Sequence, residues 1–145
     1  MARFGAARRP IRFAALLAVV AAIAATPATA KLVQFQTPSR NIGCIGDTAA
    51  SANTVRCDIR TRSWSPPPRP KACRLDWGQG LSLDAAGRAR FVCAGDTALN
   101  SGRRLAYGTA IRIGAIVCRS RVTGLTCRNA AGHGFTLSRL RARRF

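Results

Sequence analysis

Six cysteines place the strongest constraint on what this chain can fold into. They are Cys44, Cys57, Cys73, Cys93, Cys118 and Cys127, and the gaps between successive cysteines are 12, 15, 19, 24 and 8 residues. An even number of cysteines in a small chain is typical of a disulfide framework in an oxidising compartment. A structural zinc site uses close ligand pairs, which this spacing does not offer. We therefore predict three disulfides, no metal site and no cofactor.

The spacing also favours one pairing of the cysteines. Cys118 and Cys127 flank a stretch with Gly124 near a turn, which predicts cross-strand partners in one hairpin. Cys44 and Cys57 bracket a second candidate hairpin, and this leaves Cys73 for Cys93. Six cysteines allow many other connectivities, so this nearest-neighbour pairing is a hypothesis. Each bridge would close a loop of roughly ten to twenty residues and contribute on the order of 3 kcal/mol.

Short runs of alternating apolar and polar residues recur after residue 30. They lie at 55–59, 91–93, 111–113, 116–118, 125–127 and 135–137, and each ends near Gly, Asn, Asp, Pro or Ser. Alternation with a period of two, bounded by turn residues, is typical of antiparallel strands. Only 137–145 offers an alternative, a short helix rich in arginine. We predict an all-β fold, a small disulfide-linked antiparallel sheet or barrel-like domain.

The first thirty residues have the layout of an export signal. Four arginines and no acidic residue occupy 1–12, an uncharged apolar run follows at 13–25, and small residues stand at 28–30 after Pro27. Thirteen apolar residues in a helix reach about 20 Å, short of the ~30 Å hydrocarbon core. We therefore predict a signal peptide at 1–30, a single domain at 31–145 in the periplasm or the medium, and no transmembrane segment after cleavage.

Positive charge dominates the predicted domain. The chain has 24 Lys and Arg against five Asp and no Glu, and removing the four arginines of the leader leaves 20 against five, a net charge of +15. Such a surface attracts polyanions. The candidate binding residues are clustered in sequence, one group after residue 55 and one in the tail: Arg56, Arg60, Arg62, Arg139, Arg141, Arg143 and Arg144. We expect an anionic envelope polymer or a lipid surface as partner, and the equal alternative is a basic surface that is merely solvated.

Few groups suited to other chemistry remain. Trp64, Trp77 and Tyr107 are too few as stacking platforms to predict sequence-specific reading of nucleic acid. His133, the single histidine, stands between two glycines, and a hydrolase centred on it would also need an orienting carboxylate and a nucleophile. We favour a non-enzymatic basic module. The alternatives are a small secreted hydrolase of a phosphodiester or glycan centred on His133, and an inhibitor of another secreted enzyme.

A proline-rich segment interrupts the strand pattern. Residues 64–70 hold four of the seven prolines, and proline cannot donate a hydrogen bond within a sheet. The segment is predicted to be an extended polyproline connector with Trp64 folded onto the core. Docking of this segment into a partner's aromatic groove is the alternative.

Several short motifs, taken in order, resemble a family. They are FQTPSRNIGC at 35–44, CRLDWG at 73–78, FVCAGDT at 91–97, LAYG at 105–108, GLTCRN at 124–129 and GHGFTLSR at 132–139. Together they resemble a family of small secreted bacterial proteins of unknown function. The resemblance implies an exported, disulfide-linked domain and supplies no activity. One departure is Arg40, which stands where the family pattern has the glycine of a Pro-Ser-Gly-Asn turn.

Overall fold

Strands are the only regular elements of the part of the protein described by the computed structural model, namely Met1 and residues 31–49, 53–99 and 102–145. They are β1 (Leu32–Gln36), β2 (Ile42–Asp47), β3 (Thr54–Ile59), β4 (Trp77–Asp84), β5 (Arg90–Cys93), β6 (Arg103–Arg104), β7 (Ala110–Ile113), β8 (Ile116–Arg121), β9 (Gly124–Asn129), β10 (Gly134–Leu137) and β11 (Ala142–Arg144). The all-β prediction is confirmed. The predicted signal peptide lies outside the described residues, apart from Met1. Within these ranges we find no helix of the length and apolarity needed to cross a membrane.

The strands form two sheets. The first has the order β5-β4-β3-β2-β1-β6 and the second the order β11-β10-β9-β8-β7. Neighbouring strands are antiparallel except β1 and β6, which run parallel with Phe35 opposite Arg103. The helix alternative for 137–145 is wrong, because Ala142–Arg144 forms β11 and pairs with β10.

One hydrophobic core lies between the two sheets. Phe35, Val55 and Leu81 enter it from the first sheet, and Leu125 and Phe135 enter it from the second. All five are completely buried. Alternation places these side chains inside because successive residues of a strand point to opposite faces.

Trp64 anchors the proline-rich connector to this core. Its ring packs against the core cluster, and its indole Nε1 donates a hydrogen bond to the carbonyl oxygen of Ser138 at 2.9 Å. A second tryptophan holds the same segment, since Trp77 Nε1 donates to the carbonyl oxygen of Pro67 at 2.8 Å. The prediction that Trp64 folds onto the core is confirmed.

The disulfides follow the nearest-neighbour pairing. Cys44–Cys57 joins directly opposed residues of β2 and β3, and Cys118–Cys127 joins directly opposed residues of β8 and β9. Their Cα atoms are 4.1 and 4.0 Å apart. Cys73–Cys93 ties the loop after the proline-rich segment to the end of β5. Each sheet therefore carries one buried bridge between adjacent central strands.

Two buried asparagines tie each sheet to a turn of the other. The side-chain Nδ2 of Asn53 donates to the carbonyl oxygen of Ile113 at 3.0 Å, and Asn53 Oδ1 accepts from the backbone N–H of Ala115 at 2.9 Å. The Asn129 amide donates to the carbonyl oxygen of Asp84 at 2.9 Å. Buried backbone groups need such partners, so these amides fix the two sheets relative to each other.

Candidate functional site

The outer face of the second sheet carries an array of exposed arginines. Alternate residues of β8 and β9, such as Cys118 and Leu125, point into the core, so the residues between them point outwards. The five arginines in such outward positions are Arg112, Arg119, Arg121, Arg128 and Arg143, and all are exposed. We call these five residues the arginine face.

Strand register spaces these arginines across the sheet. One row runs from Arg119 through Thr126 and Thr136 to Arg143, each opposite the next. The two threonine hydroxyls at its centre are 3.1 Å apart and hydrogen-bond to each other. Neighbouring strands lie about 4.8 Å apart, so the backbones of Arg119 and Arg143 are about 14 Å apart. The array thus covers a surface and is not a single line of charge.

No Asp or Glu side chain lies in the sheet that carries the arginine face. All five aspartates fall between residues 47 and 96, whereas residues 110–144 contain eight arginines and no acidic residue. The ion pairs of the described residues are Arg56–Asp58, Arg56–Asp96 and Arg90–Asp84, at 2.6–2.7 Å. None of them involves the arginine face, so its charge remains available to a ligand.

Arg56, a predicted binding residue, is engaged inside the protein. Its Nε and Nη2 atoms donate to the two carboxylate oxygens of the fully buried Asp58, at 3.0 and 2.7 Å. Nη1 donates to Asp96 Oδ1 at 2.6 Å. Burial acts to lower the pKa of Arg56, but the hydrogen bonds and the charge attraction of Asp58 and Asp96 together outweigh it, and the net shift is upward. The guanidinium therefore works as a structural cation.

The other predicted residues divide among several surfaces. Arg60 is exposed just after β3, while Arg62 is half-buried, donates to the carbonyl oxygen of Gly78 at 2.7 Å and stacks 4.6 Å from the Trp64 ring. Arg144 lies over the ring of Phe91 at 5.1 Å. The structure therefore does not bring the predicted set together in one patch.

A cleft opens where the β8–β9 and β10–β11 hairpins turn. Its volume is about 990 Å³, and its lining includes Arg121, Arg139 and Arg141 but no acidic residue. Hydroxyl groups from β-turn segments complete the wall, among them Thr37 and Ser138. Four of the motifs quoted above contribute to this lining, at 37–42, at 107, at 124 and at 138–139. Segments distant in sequence thus meet at one end of the domain.

A direct comparison with known protein families finds a match. The family of unknown function DUF6636 matches the chain over residues 15–145. The chain belongs to this family. The resemblance drawn from the motifs is thereby confirmed. No curated protein and no solved structure matches the chain.

His133 of this DUF6636 domain lies in the tight turn between β9 and β10. The backbone N–H of His133 donates to Asn129 Oδ1 at 3.0 Å, and the His133 carbonyl oxygen accepts from the backbone N–H of Asn129 at 2.9 Å. The residue is half-buried. The described part of the chain brings no three His, Cys or Asp side chains together in a metal-binding arrangement. The hydrolase alternative stays a prediction from sequence.

The arginine face of this DUF6636 domain is the part of the site that sequence reasoning missed, apart from Arg143. Two signals pointed to it. Arg112, Arg119 and Arg128 each adjoin an apolar residue of an alternating run, which places them on the outward phase. The chain also has no acidic residue after Asp96, so every arginine beyond that point lacks a nearby partner in sequence.

Proposed function

We propose that the protein is an exported basic domain that binds an anionic component of the cell envelope through the arginine face. The observation that carries this proposal is the presence of five exposed arginines on one sheet face that has no acidic residue. Three disulfides support the oxidising location, since such bonds persist outside the reducing cytosol. The function is binding, with no reaction assigned.

Charge spacing favours a ligand with repeated negative groups. The Debye length is about 8 Å at physiological salt, and the backbones of Arg119 and Arg143 are about 14 Å apart, so these two arginines act on different anions. A polymer or a lipid surface presents many anions at once and can engage several arginines together. Binding of this kind releases counterions and weakens as salt rises.

The test is retention on immobilised heparin as a salt-dependent probe, using the oxidised protein. The variant Arg119→Gln/Arg128→Gln removes two charges from the arginine face. The matched control Arg103→Gln/Arg104→Gln removes two exposed arginines from β6 in the other sheet. We expect the negative slope of log affinity against log salt to become shallower by about 1.5 in the face variant, as for two lost contacts.

The control should leave that slope close to the parent value. An equal change in both variants would mean that net charge alone governs binding and that the face is not a site. Retention that survives molar salt would contradict an electrostatic mechanism altogether.

A further inference from the structure

Two neighbouring hairpin turns expose aliphatic side chains that no part of the described protein covers. Val122 stands in the turn between β8 and β9, and Leu140 stands in the turn between β10 and β11. The two residues are 81% and 77% exposed, the highest values for large hydrophobic residues in the described ranges after residue 30. A single exposed aliphatic residue is ordinary, whereas exposed apolar residues that form one contiguous patch mark an interaction surface.

The two turns lie side by side at one end of the domain. Both Val122 and Leu140 line the cleft described above. The backbones also approach closely, because a Cβ atom at Gly124 would lie 2.6 Å from the carbonyl oxygen of Leu137 and 2.8 Å from Ser138 Cβ. The two aliphatic residues therefore act as one surface.

Arginines flank both aliphatic residues in sequence. Arg121 precedes Val122, and Arg139 and Arg141 stand on either side of Leu140. We call these five residues the tip surface. In the described part of the protein, the side chains of its three arginines make no hydrogen bond or ion pair.

The second turn is held in a fixed shape. Ser138 Oγ accepts hydrogen bonds from the amides of Leu140 and Arg141 at 3.3 and 3.2 Å, and the Ser138 amide donates to the carbonyl oxygen of Arg141 at 2.9 Å. The Ser138 hydroxyl thus accepts hydrogen bonds from two backbone N–H groups of the turn. Leu140 is displayed outwards by the backbone and does not depend on a ligand for its position.

The combination of exposed arginines and exposed aliphatic residues favours a lipid surface over a dissolved polymer as the ligand. A hydrated polyanion contacts arginines but offers nothing to Val122 and Leu140. A bilayer offers both, because phosphates lie at the headgroup level and the acyl boundary lies several ångströms beneath them. Arginine side chains reach the phosphates while neighbouring apolar groups enter below.

We propose that the tip surface docks the protein onto an anionic lipid bilayer. Val122 and Leu140 enter the boundary between headgroups and acyl chains, and Arg121, Arg139 and Arg141 pair with lipid phosphates. This inference rests on the proposed function, from which it takes the association with an anionic component of the envelope. It adds that the anions are lipid phosphates.

The experiment measures co-sedimentation of the oxidised protein with vesicles of equal parts phosphatidylglycerol and phosphatidylcholine, and with vesicles of phosphatidylcholine alone. Val122→Ser/Leu140→Ser keeps the charge and removes the aliphatic tips. The matched control, Leu32→Ser/Leu75→Ser, removes the aliphatic side chains of two residues elsewhere on the surface that are 61% and 52% exposed. Heparin retention of every variant is measured in parallel.

We expect the tip variant to lose affinity for the anionic vesicles by about tenfold, since two aliphatic groups no longer leave water. The control should match the parent protein, and heparin retention should be unchanged in both. Equal vesicle affinity in the tip and control variants would overturn the inference. The proposed function would still stand in that case if the parent protein is retained on heparin. A parent protein that binds neither heparin nor vesicles would overturn both.

A second measurement follows the position of the tip directly. In Leu140→Trp the new indole should shift its emission to shorter wavelength on anionic vesicles and not on heparin. Leu75→Trp serves as the control and should not shift. The absence of a vesicle-specific shift at residue 140 would also overturn the inference.

Discussion

Replacing Arg56 with methionine should destabilise the folded protein strongly. Asp58 is fully buried, and both of its oxygens accept from the Arg56 guanidinium. Without Arg56, the carboxylate keeps one described hydrogen bond, from the Ala98 amide at 2.8 Å. Removing one partner of a buried ion pair costs about 3–5 kcal/mol, because a charge is left uncompensated. Methionine retains an apolar stem, so the loss reports on the charge.

Arg90→Met is the matched control. Arg90 Nη2 lies 2.6 Å from Asp84 Oδ2, close to the 2.7 Å of the Arg56–Asp58 pair, but the Arg90 and Asp84 side chains are 66% and 37% exposed. Such exposed pairs contribute about 0–1 kcal/mol. Urea unfolding of the oxidised proteins at neutral pH measures both. With a slope of about 1.5 kcal/mol per molar urea, a loss of 3 kcal/mol moves the midpoint by about 2 M.

The control should move that midpoint by less than about 0.7 M. The double variant Arg56→Met/Asp58→Asn should recover part of the loss, because the buried charge is gone. Equal midpoints for Arg56→Met and Arg90→Met would refute the interpretation of Arg56 as an internal cation and would return it to the candidate binding surface.

Three further substitutions test other parts of the fold. The hydrogen bond from Arg56 lowers the pKa of Asp96, so the contribution of this ion pair is fully present above about pH 4 and is lost as the pH falls through the lower, folded pKa. The urea midpoint of Asp96→Asn should lie below the parent midpoint at neutral pH and approach it as the pH falls below about 4, and a constant difference would contradict this. Asn129→Ala leaves the carbonyl oxygens of Asp84 and Gly87 without their donor and should cost about 1–3 kcal/mol in the same assay; no loss would mean that water replaces the amide. Arg40 has φ of 58°, and this left-handed conformation costs about 1–2 kcal/mol for a residue with a Cβ, against about 0.5–1 kcal/mol of chain entropy for glycine. Arg40→Gly should therefore stabilise the folded protein by about 0.5–1 kcal/mol, and a lower thermal midpoint would contradict this.

The strands and the disulfide pairing could be predicted because both depend on local sequence. Alternation of apolar residues sets which face of a strand is buried, and a hairpin places its two cysteines opposite each other. Cys44 opposite Cys57 and Cys118 opposite Cys127 follow from these two rules. Arg40 shows the same logic, since its φ of 58° is left-handed at the position where the motif resemblance predicts glycine.

The grouping of the arginines could not be predicted in the same way. Arg56 is held partly by Asp96, 40 residues away in sequence, and only the folded sheet brings them together. Arg141 and Arg143 are close in sequence, yet one lines the cleft and the other lies on the arginine face. Membership of a surface depends on strand order and register, which charge clustering along the chain does not report.

The covalent links and the charged face belong to the same strands. Arg119 and Arg128 are diagonal neighbours on the outer side of β8 and β9, where like charges oppose strand pairing. On the inner side, Cys118–Cys127 joins these two strands directly. Each bridge contributes on the order of 3 kcal/mol, so three amount to a large share of the 5–15 kcal/mol typical of a whole domain. The sheet can therefore present arginines without acidic partners, because a covalent bond, and not a balance of surface charges, keeps its central strands together.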